Sequence, residues 1–340
     1  YSICRYFDDI ADKFGNGTLK LTMRQAFQLY GVLKRNLKQT MKEINDTLLD
    51  TLAACGDVNR NVMSPSNPFE SQLHGQALDL AQRIHDHLTP QTSAYAEIWL
   101  DEEKISVGEQ VEEPIYGKTY LPRKFKIAVS GADRDRAAIQ VHDIGIRLFK
   151  KDDELRFEIL AGGGLGRTPV LATTIREDLE ASHLLTYLEA ILRVYNRYGR
   201  RDNKYKARIK ILVKALTPEG FAQKVEAEWA EIKDSPTRLN RETIEKFQGY
   251  FTEPDYQALD NASELLGKQR FESREFDKWL THNVNEHKKP GYAIVTLTLK
   301  QTGTPPGDVT DTQFEQIADL ADEYSFGEVR ATHEQNIVLA

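Results

Sequence analysis

Residues 10–29 read IADKFGNGTLKLTMRQAFQL, and residues 320–339 read LADEYSFGEVRATHEQNIVL. Set one above the other at an offset of 310, they align without a gap. Ala11/Ala321, Asp12/Asp322, Gly17/Gly327, Thr22/Thr332, Gln25/Gln335 and Leu29/Leu339 are identical. Ile10/Leu320, Phe14/Tyr324, Leu19/Val329 and Lys20/Arg330 keep shape or polarity, while Lys13/Glu323 reverses charge. Polar identities recur beside apolar ones, which separates this from a chance likeness of two helix–turn–strand units. Each copy reads as a helix end, a glycine turn and a strand with alternating polar residues. Two such copies so far apart imply pairing in space about a pseudo-twofold, with the chain between them inserted.

The inserted stretch reads as an α+β domain, strands first and helices after. ESQLHGQALDLAQRIHDHL (70–88) carries Leu78, Ala81, Ile84 and Leu88 on one helical stripe. AYAEIWLDEEKIS (94–106) reads as a strand passing into a turn, and KFKIAVS (124–130), AAIQVHDIGIRLF (137–149) and LRFEILAGGG (155–164) read as strands. HLLTYLEAILRVYNRYG (183–199) is a long helix, and TPEGFAQKVEAEWAEI (217–232) starts at a Thr cap followed by Pro. Residues 233–289 are polar and read as a surface connection. Lys289-Pro290-Gly291 is a turn before the strand YAIVTLTLK. The opening residues YSICRYFDDIADKFG read as an amphipathic helix, not a signal peptide, and suggest a chain that begins mid-domain.

Bulk numbers narrow the class. The 340 residues carry a net charge of −7, which argues against nucleic acid as the main partner. No apolar run is long enough to cross a membrane. Two cysteines, Cys4 and Cys55, exclude a disulfide scaffold or zinc ribbon and fit a reducing cytoplasm.

Basic residues therefore stand out where they cluster. In KTYLPRKFKIAV (118–129), alternation sends Lys124 and Lys126 to one face and Phe125, Ile127 and Val129 to the other, with Arg123 just before. That lysine face is either solvated or meets an anion, and alternation leaves both open. Arg24 and Arg60 raise the same question. AGGGLGRTP (161–169) lacks dinucleotide spacing; it is a glycine-rich hairpin or a backbone that must approach a ligand closely. The basic run NRYGRRDNKYKARIK (196–210) reads as a solvated helix end or a partner-facing surface. His85 and His87, at i and i+2, do not share a helix face and give no metal site. Cys55 reads as a packed thiol.

As a set, LTMRQAFQLYGVLK (21–34), ACGDVNRNVM (54–63), YAEIWLDEEK (95–104), EPIYGKTYLPRKFKIAV (113–129), GGGLGRT (162–168) and VRATHEQNIVLA (329–340) resemble the siroheme-containing sulfite and nitrite reductases. The resemblance implies two pseudo-twofold ferredoxin-like halves (1–53 and 289–340) flanking a siroheme-binding α+β domain (54–288). It implies six-electron reduction of sulfite to sulfide at siroheme, whose iron shares a cysteine thiolate with a 4Fe-4S cluster. Arg60, Lys124 and Lys126 match the substrate-anion positions. Arg24 and Arg123 match contacts to siroheme carboxylates, and Thr22, Gln28, Gln335 and Asn336 match polar contacts to the macrocycle. Gly163 and Gly164 match the glycine run at the macrocycle edge. The family tends to read KFN in nitrite reductases and KFK in sulfite reductases, so Lys126 favours sulfite, with nitrite as the alternative anion. The implied electron donor is a flavoprotein subunit or ferredoxin.

The sequence departs from that pattern in places. The family's cluster cysteines, C-x5-C and C-x3-C, are absent, so no metal ligand is assigned here. Tyr30 stands where the family often has His, and a further substrate arginine belongs upstream of Tyr1. The expectation is an N-terminal portion that, alone, neither holds siroheme and cluster stably nor reduces sulfite. A different class stays open: a non-catalytic anion- or tetrapyrrole-binding module.

Overall fold

Phe7, Ile10, Ala11 and Phe14 recur at helical spacing, and α1 (Ile3–Phe14) packs on them. The structure is a computed structural model that describes residues 3–90, 98–100, 103–105, 113–131, 135–235, 254–259 and 263–340. The chain forms two compact units. The first comprises Tyr1–Thr51, Pro65–Gly75 and Thr252–Ala340, the second Leu52–Ser64 and Gln76–Phe251.

In chain order, α1 is followed by β1 (Thr18–Leu21), β2 (Phe27–Leu29), α2 (Leu37–Asp46) and α3 (Gln72–Leu88). Next come β3 (Ile98–Leu100), β4 (Glu103–Ile105), β5 (Ile127–Ser130), β6 (Ile144–Lys151), β7 (Glu154–Ala161) and β8 (Thr173–Glu180). Three helices follow: α4 (Leu184–Tyr198), α5 (Ile209–Leu216) and α6 (Pro218–Ile232). The first unit resumes with α7 (Ser263–Glu272), α8 (Arg274–Asn283), β9 (Val284–Glu286), β10 (Ala293–Leu297) and β11 (Asp308–Thr310). It closes with α9 (Asp311–Tyr324), β12 (Arg330–Ala331) and β13 (Ile337–Leu339).

The repeat is physical. Both copies run helix, glycine turn and two antiparallel strands, β1–β2 and β12–β13. Gly17 and Gly327 leave their helices with φ of 76° and 72°, and their N–H groups donate to Ala11 O and Ala321 O at 3.2 and 2.9 Å. Thr22 and Thr332 close the hairpins alike. Each hydroxyl oxygen accepts two turn N–H groups, from Arg24 and Ala26 (3.2 and 3.3 Å) in one copy and from Glu334 and Asn336 (3.2 and 3.0 Å) in the other. Gln25 and Gln335 sit in the left-handed region at φ 56° and 60°. From there each reaches across to the other copy. Gln25 Nε2 donates to Ala331 O at 3.0 Å, and Gln335 Nε2 donates to Leu21 O at 2.9 Å. Since 331 is 21 plus the same offset, this is one bond made twice, as a twofold requires. Leu19, Leu21, Phe314, Ile317, Ile337 and Leu339 share one core with α1.

Segments 65–75 and 252–288, read from the sequence with the insertion, group with this first unit. The reason is local: Lys288 N–H donates to Phe69 O at 3.3 Å, and the Arg330 guanidinium lies 5.1 Å from the Phe69 ring centre. The stretch read as a bare connection folds, in its described part, into α7, α8 and β9. The turn at Lys289 forms as expected, with Tyr292 N–H donating to Lys289 O at 3.3 Å.

In the second unit β5-β6-β7-β8 make one sheet, parallel at β5–β6 and antiparallel beyond. Ile127 and Val129 enter the main core with Ile144, Phe157 and the fully buried stripe of α4. Ala128 points into a second, smaller core with Met63, Ile139 and Leu160. β5 is thus buried on both faces, as parallel strands are. Thr217 caps α6 as its sequence predicts, accepting from Gly220 N–H at 3.2 Å. The single strand read over 137–149 is a short 3-10 turn at Ile139–Val141 followed by β6, because Ala138 adopts φ 53°. β7 stops at Ala161, where Gly162 turns to φ 88°. The strand read from Lys124 begins regular pairing only at Ile127.

Two outcomes follow for the first unit. Gln25→Asn and Gln335→Asn keep a side chain that tolerates positive φ but lose its reach, so each costs about 1 kcal/mol and the double variant about 2. Native-state hydrogen exchange in β1 and β13 reads this. The second concerns Asp8. Burial, then Asp12, Asp311, Glu315 and Asp9, push its carboxyl up from 3.8 to about 6. Its protonated form is favoured in the fold, so this contribution is full below the ordinary value and is lost as pH rises through about 6. The first unit should weaken by about 1 kcal/mol between those limits, after allowance for solvent screening, and Asp8→Asn should flatten the dependence in denaturant titrations across pH.

Candidate functional site

The sequence GDVNRNV runs parallel beside Phe125–Val129. Phe125 N–H donates to Val58 O at 3.0 Å, Arg60 N–H donates to Phe125 O at 2.9 Å, and Val129 N–H donates to Met63 O at 2.7 Å. These bonds, with a bridge between Asn59 and Phe125, place Arg60 next to the lysine pair. Arg60 is shaped by its own turn: Nη2 donates to Gly56 O at 2.9 Å and Nη1 to Ala54 O, while Nε is buried without a hydrogen-bond partner among the described residues. Phe125 is fully buried and stacks on Tyr195 at 5.7 Å. The alternation therefore holds, with Lys124 and Lys126 half-buried on the face away from the main core.

Arg123 forms a long ion pair with Asp57, 3.3 Å, and its carbonyl accepts from the Tyr195 hydroxyl at 3.3 Å. Lys124 makes no hydrogen bond or ion pair among the described residues. Burial holds its ammonium below the usual lysine range, and Arg123, Arg60 and Arg208 push the same way, with Asp143 opposing. The structure thus brings Arg60, Arg123, Lys124 and Lys126 together in one unit and adds Arg208.

Asp143, just before β6, was not singled out from the sequence. Its side chain is 0% exposed. Arg208 donates to Oδ1 from Nε at 3.0 Å and from Nη2 at 2.8 Å, and Nη2 also meets Oδ2 at 2.7 Å. Lys126 N–H donates to Oδ2 at 2.9 Å. Burial raises the Asp143 carboxyl, while Arg208 and Lys126 oppose it. Lys210 donates to Thr168 O at 2.5 Å and Leu165 O at 3.4 Å, and burial followed by Arg208 lowers its ammonium. The basic run 196–210 is therefore not simply solvated. Arg200 pairs with Asp202, but Arg208 and Lys210 turn inward.

The glycines serve the fold. A Cβ on Gly163 would lie 2.3 Å from His142 O and 2.5 Å from Gln140 O, and one on Gly162 2.9 Å from Val213 Cβ. Gly164 pairs with Val170 across a hairpin, N–H to O at 2.9 and 3.0 Å, and lies over Lys210 and Arg208. The hairpin of the sequence reading is present.

The remaining site residues lie in the first unit. Thr22 and Gln335 spend polar atoms on the repeat, and Gln335 also donates to Pro306 O at 2.9 Å. Asn336 is buried and accepts from Lys300. Arg24 is half-buried, and Gln28 is exposed on β2. A cleft of about 800 Å³ between α1 and α2, lined by residues such as Tyr6, Asp9 and Glu43, contains none of these residues. Among the described residues no group of His, Cys, Asp and Glu could hold a metal ion. His87 lies 3.6 Å from Glu189, and Cys55 is exposed, not packed.

Family models match the two units in turn. The nitrite/sulfite reductase ferredoxin-like half domain matches residues 4–47 and 287–340, and the nitrite and sulphite reductase 4Fe-4S domain matches residues 80–233. The chain belongs to the nitrite and sulfite reductase family. The sulfite reductase (NADPH) hemoprotein beta-component of Staphylococcus epidermidis is 45% identical over 216 residues, covering 62% of this chain and 38% of that protein. The protein of the same name from Geobacillus thermodenitrificans is 44% identical over 229 residues, 64% of this chain and 40% of its own. The chain thus spans about two-fifths of the length of these curated relatives. The structure of the Mycobacterium tuberculosis NirA protein superposes with a TM-score of 0.66 at 21% identity, over 99% of this chain and 50% of that one, a likeness of fold.

The glycine geometry sets a test. Gly163→Ala should cost about 3 kcal/mol of second-unit stability, because its Cβ meets backbone on two sides. Gly164→Ala meets only flexible side-chain ends and should cost under about 1 kcal/mol. Thermal melting followed by Trp229 fluorescence separates the two.

Proposed function

We propose that this chain supplies the anion pocket and siroheme contacts of an enzyme that reduces sulfite to sulfide. The observation that carries the reading is the surplus of cationic donors around Lys124. Arg123, Arg60 and Arg208 crowd a half-buried ammonium, while carboxylate comes from Asp57 and Asp143. Such a cluster is costly until an anion enters it. The names of the relatives, sulfite reductase hemoprotein beta-components, support the same reading.

In that reading residues 1–53 and 289–340 are the two half-domains and 54–288 the siroheme-binding insert. Arg60, Lys124 and Lys126 take the oxyanion. Charge-assisted hydrogen bonds hold its oxygens, and the ammonium groups deliver protons as each oxygen leaves as water. Lys124 gives up its proton more readily than an ordinary lysine because its surroundings disfavour the charge. Arg24 and Arg123 would hold siroheme carboxylates, and the unbonded Arg60 Nε and the lightly paired Arg123 fit an anionic group. Thr22, Gln28, Gln335 and Asn336 would contact the macrocycle, with Gly163 and Gly164 at its edge. Siroheme supplies the iron on which the anion is reduced. A 4Fe-4S cluster needs four thiolates, and the sequence holds Cys4 and Cys55 only, so these residues do not supply a full ligand set. Electrons come from a flavoprotein subunit or ferredoxin, in the cytoplasm. Among the described residues no helix is long and apolar enough to cross a membrane.

The test uses the full-length siroheme-loaded protein. Lys124→Ala should lower kcat/KM for sulfite about a hundredfold, as loss of one preorganised donor does. Lys126→Asn should shift the sulfite-to-nitrite ratio toward nitrite. Absence of sulfite turnover in the loaded protein overturns the reading, and an unchanged ratio removes Lys126 as the discriminating group.

A further inference from the structure

Asp143 is a carboxylate with no access to water, set beside groups that the proposed chemistry needs charged. It clamps the lysine segment from one side. Its Oδ2 accepts Lys126 N–H at 2.9 Å, and the next residue, Ile144, donates its N–H to Lys126 O at 3.2 Å. Both polar groups of the Lys126 peptide are thus held where β5 and β6 begin to pair. On the other edge Val58 and Arg60 hold both polar groups of the Phe125 peptide. The Asp143 carbonyl also accepts Gly162 N–H at 2.9 Å, which ties in the glycine hairpin.

The same carboxylate faces the cations. It acts on Lys126 and Arg208, on Lys124, on Lys210 at the start of α5, and on the Tyr195 hydroxyl of α4; Arg60 and Arg123 stand around Lys124, and Asp57 acts on Tyr195. Arg208 spends Nε and Nη2 on Asp143. We propose that Asp143 is the positioning residue of the basic cluster: it fixes the backbone at Lys126 and offsets the charge of Arg208, so that Lys124 stays protonated ahead of an incoming oxyanion. This role rests on reading Lys124 and Lys126 as the anion contacts. A purely structural carboxylate would fix the backbone and leave the Lys124 charge alone.

The two cases differ in sign. Asp143→Asn keeps an acceptor for Lys126 N–H and removes the negative charge. Arg208→Gln removes the positive one. In the 340-residue chain labelled at lysine Cε, with Lys124 assigned through Lys124→Arg, NMR titration reads the ammonium directly. The expected result is opposite shifts: Lys124 titrates at lower pH in Asp143→Asn and at higher pH in Arg208→Gln, while Arg208→Lys, which keeps the charge, stays near wild type. Circular dichroism checks the fold of each. If Asp143→Asn does not fold, the upward shift in Arg208→Gln carries the test. Shifts of the same sign, no shift in a folded variant, or loss of the fold in both variants overturn the proposal. Sulfite turnover separates it from the functional reading. If Lys124→Ala leaves sulfite turnover of the full-length siroheme-loaded protein unchanged while the opposite shifts appear, the sulfite reading falls and the role of Asp143 stands.

Discussion

A buried carboxylate must be met by donors or it unfolds what surrounds it. Asp143 meets that demand with the Arg208 fork and the Lys126 N–H, and much of the second unit follows. The start of β5 can only lie where Lys126 reaches Asp143. Arg208, at the mouth of α5, can only face inward. The glycine run can only turn where Gly162 meets the Asp143 carbonyl. An arginine, a strand and a hairpin from distant parts of the chain are thereby referred to one point, and the basic cluster is assembled around it.

The first unit depends on a different device, the exchange of glutamine amides between repeats. A glutamine at positive φ carries a backbone cost, and that cost is tolerated at both equivalent positions because each side chain closes a bond across the pseudo-twofold. The exchange explains why the polar identities of the repeat survive: Thr22/Thr332 shape the turn, and Gln25/Gln335 span it. The same atoms that mark the repeat in sequence hold its two copies together.

Legibility varied with how local the cause was. The Thr217 cap, the amphipathic α1, the turn at Lys289 and the split of Phe125, Ile127 and Val129 from the lysines depend on neighbours in sequence, and all could be read there. β8 was missed because its burial does not alternate cleanly and its register slips against β7 at a bulge. The 137–149 stretch looks continuous in hydrophobicity, but Ala138 breaks it with a left-handed conformation that no composition announces. Arg208 and Lys210 sit in a run rich in charge, and charge alone suggests water. Their burial depends on Asp143 and on the carbonyls of the hairpin, both far away in sequence.

The sequence by itself determined the repeat, the family resemblance and the residue types of a basic cluster, because identity, spacing and alternation are properties of order along the chain. Tertiary structure alone decided which cations share a site, which of them are already spent, and why the glycines are there. Those answers depend on distances between segments, and on a buried charge whose cost exists only once water has been excluded.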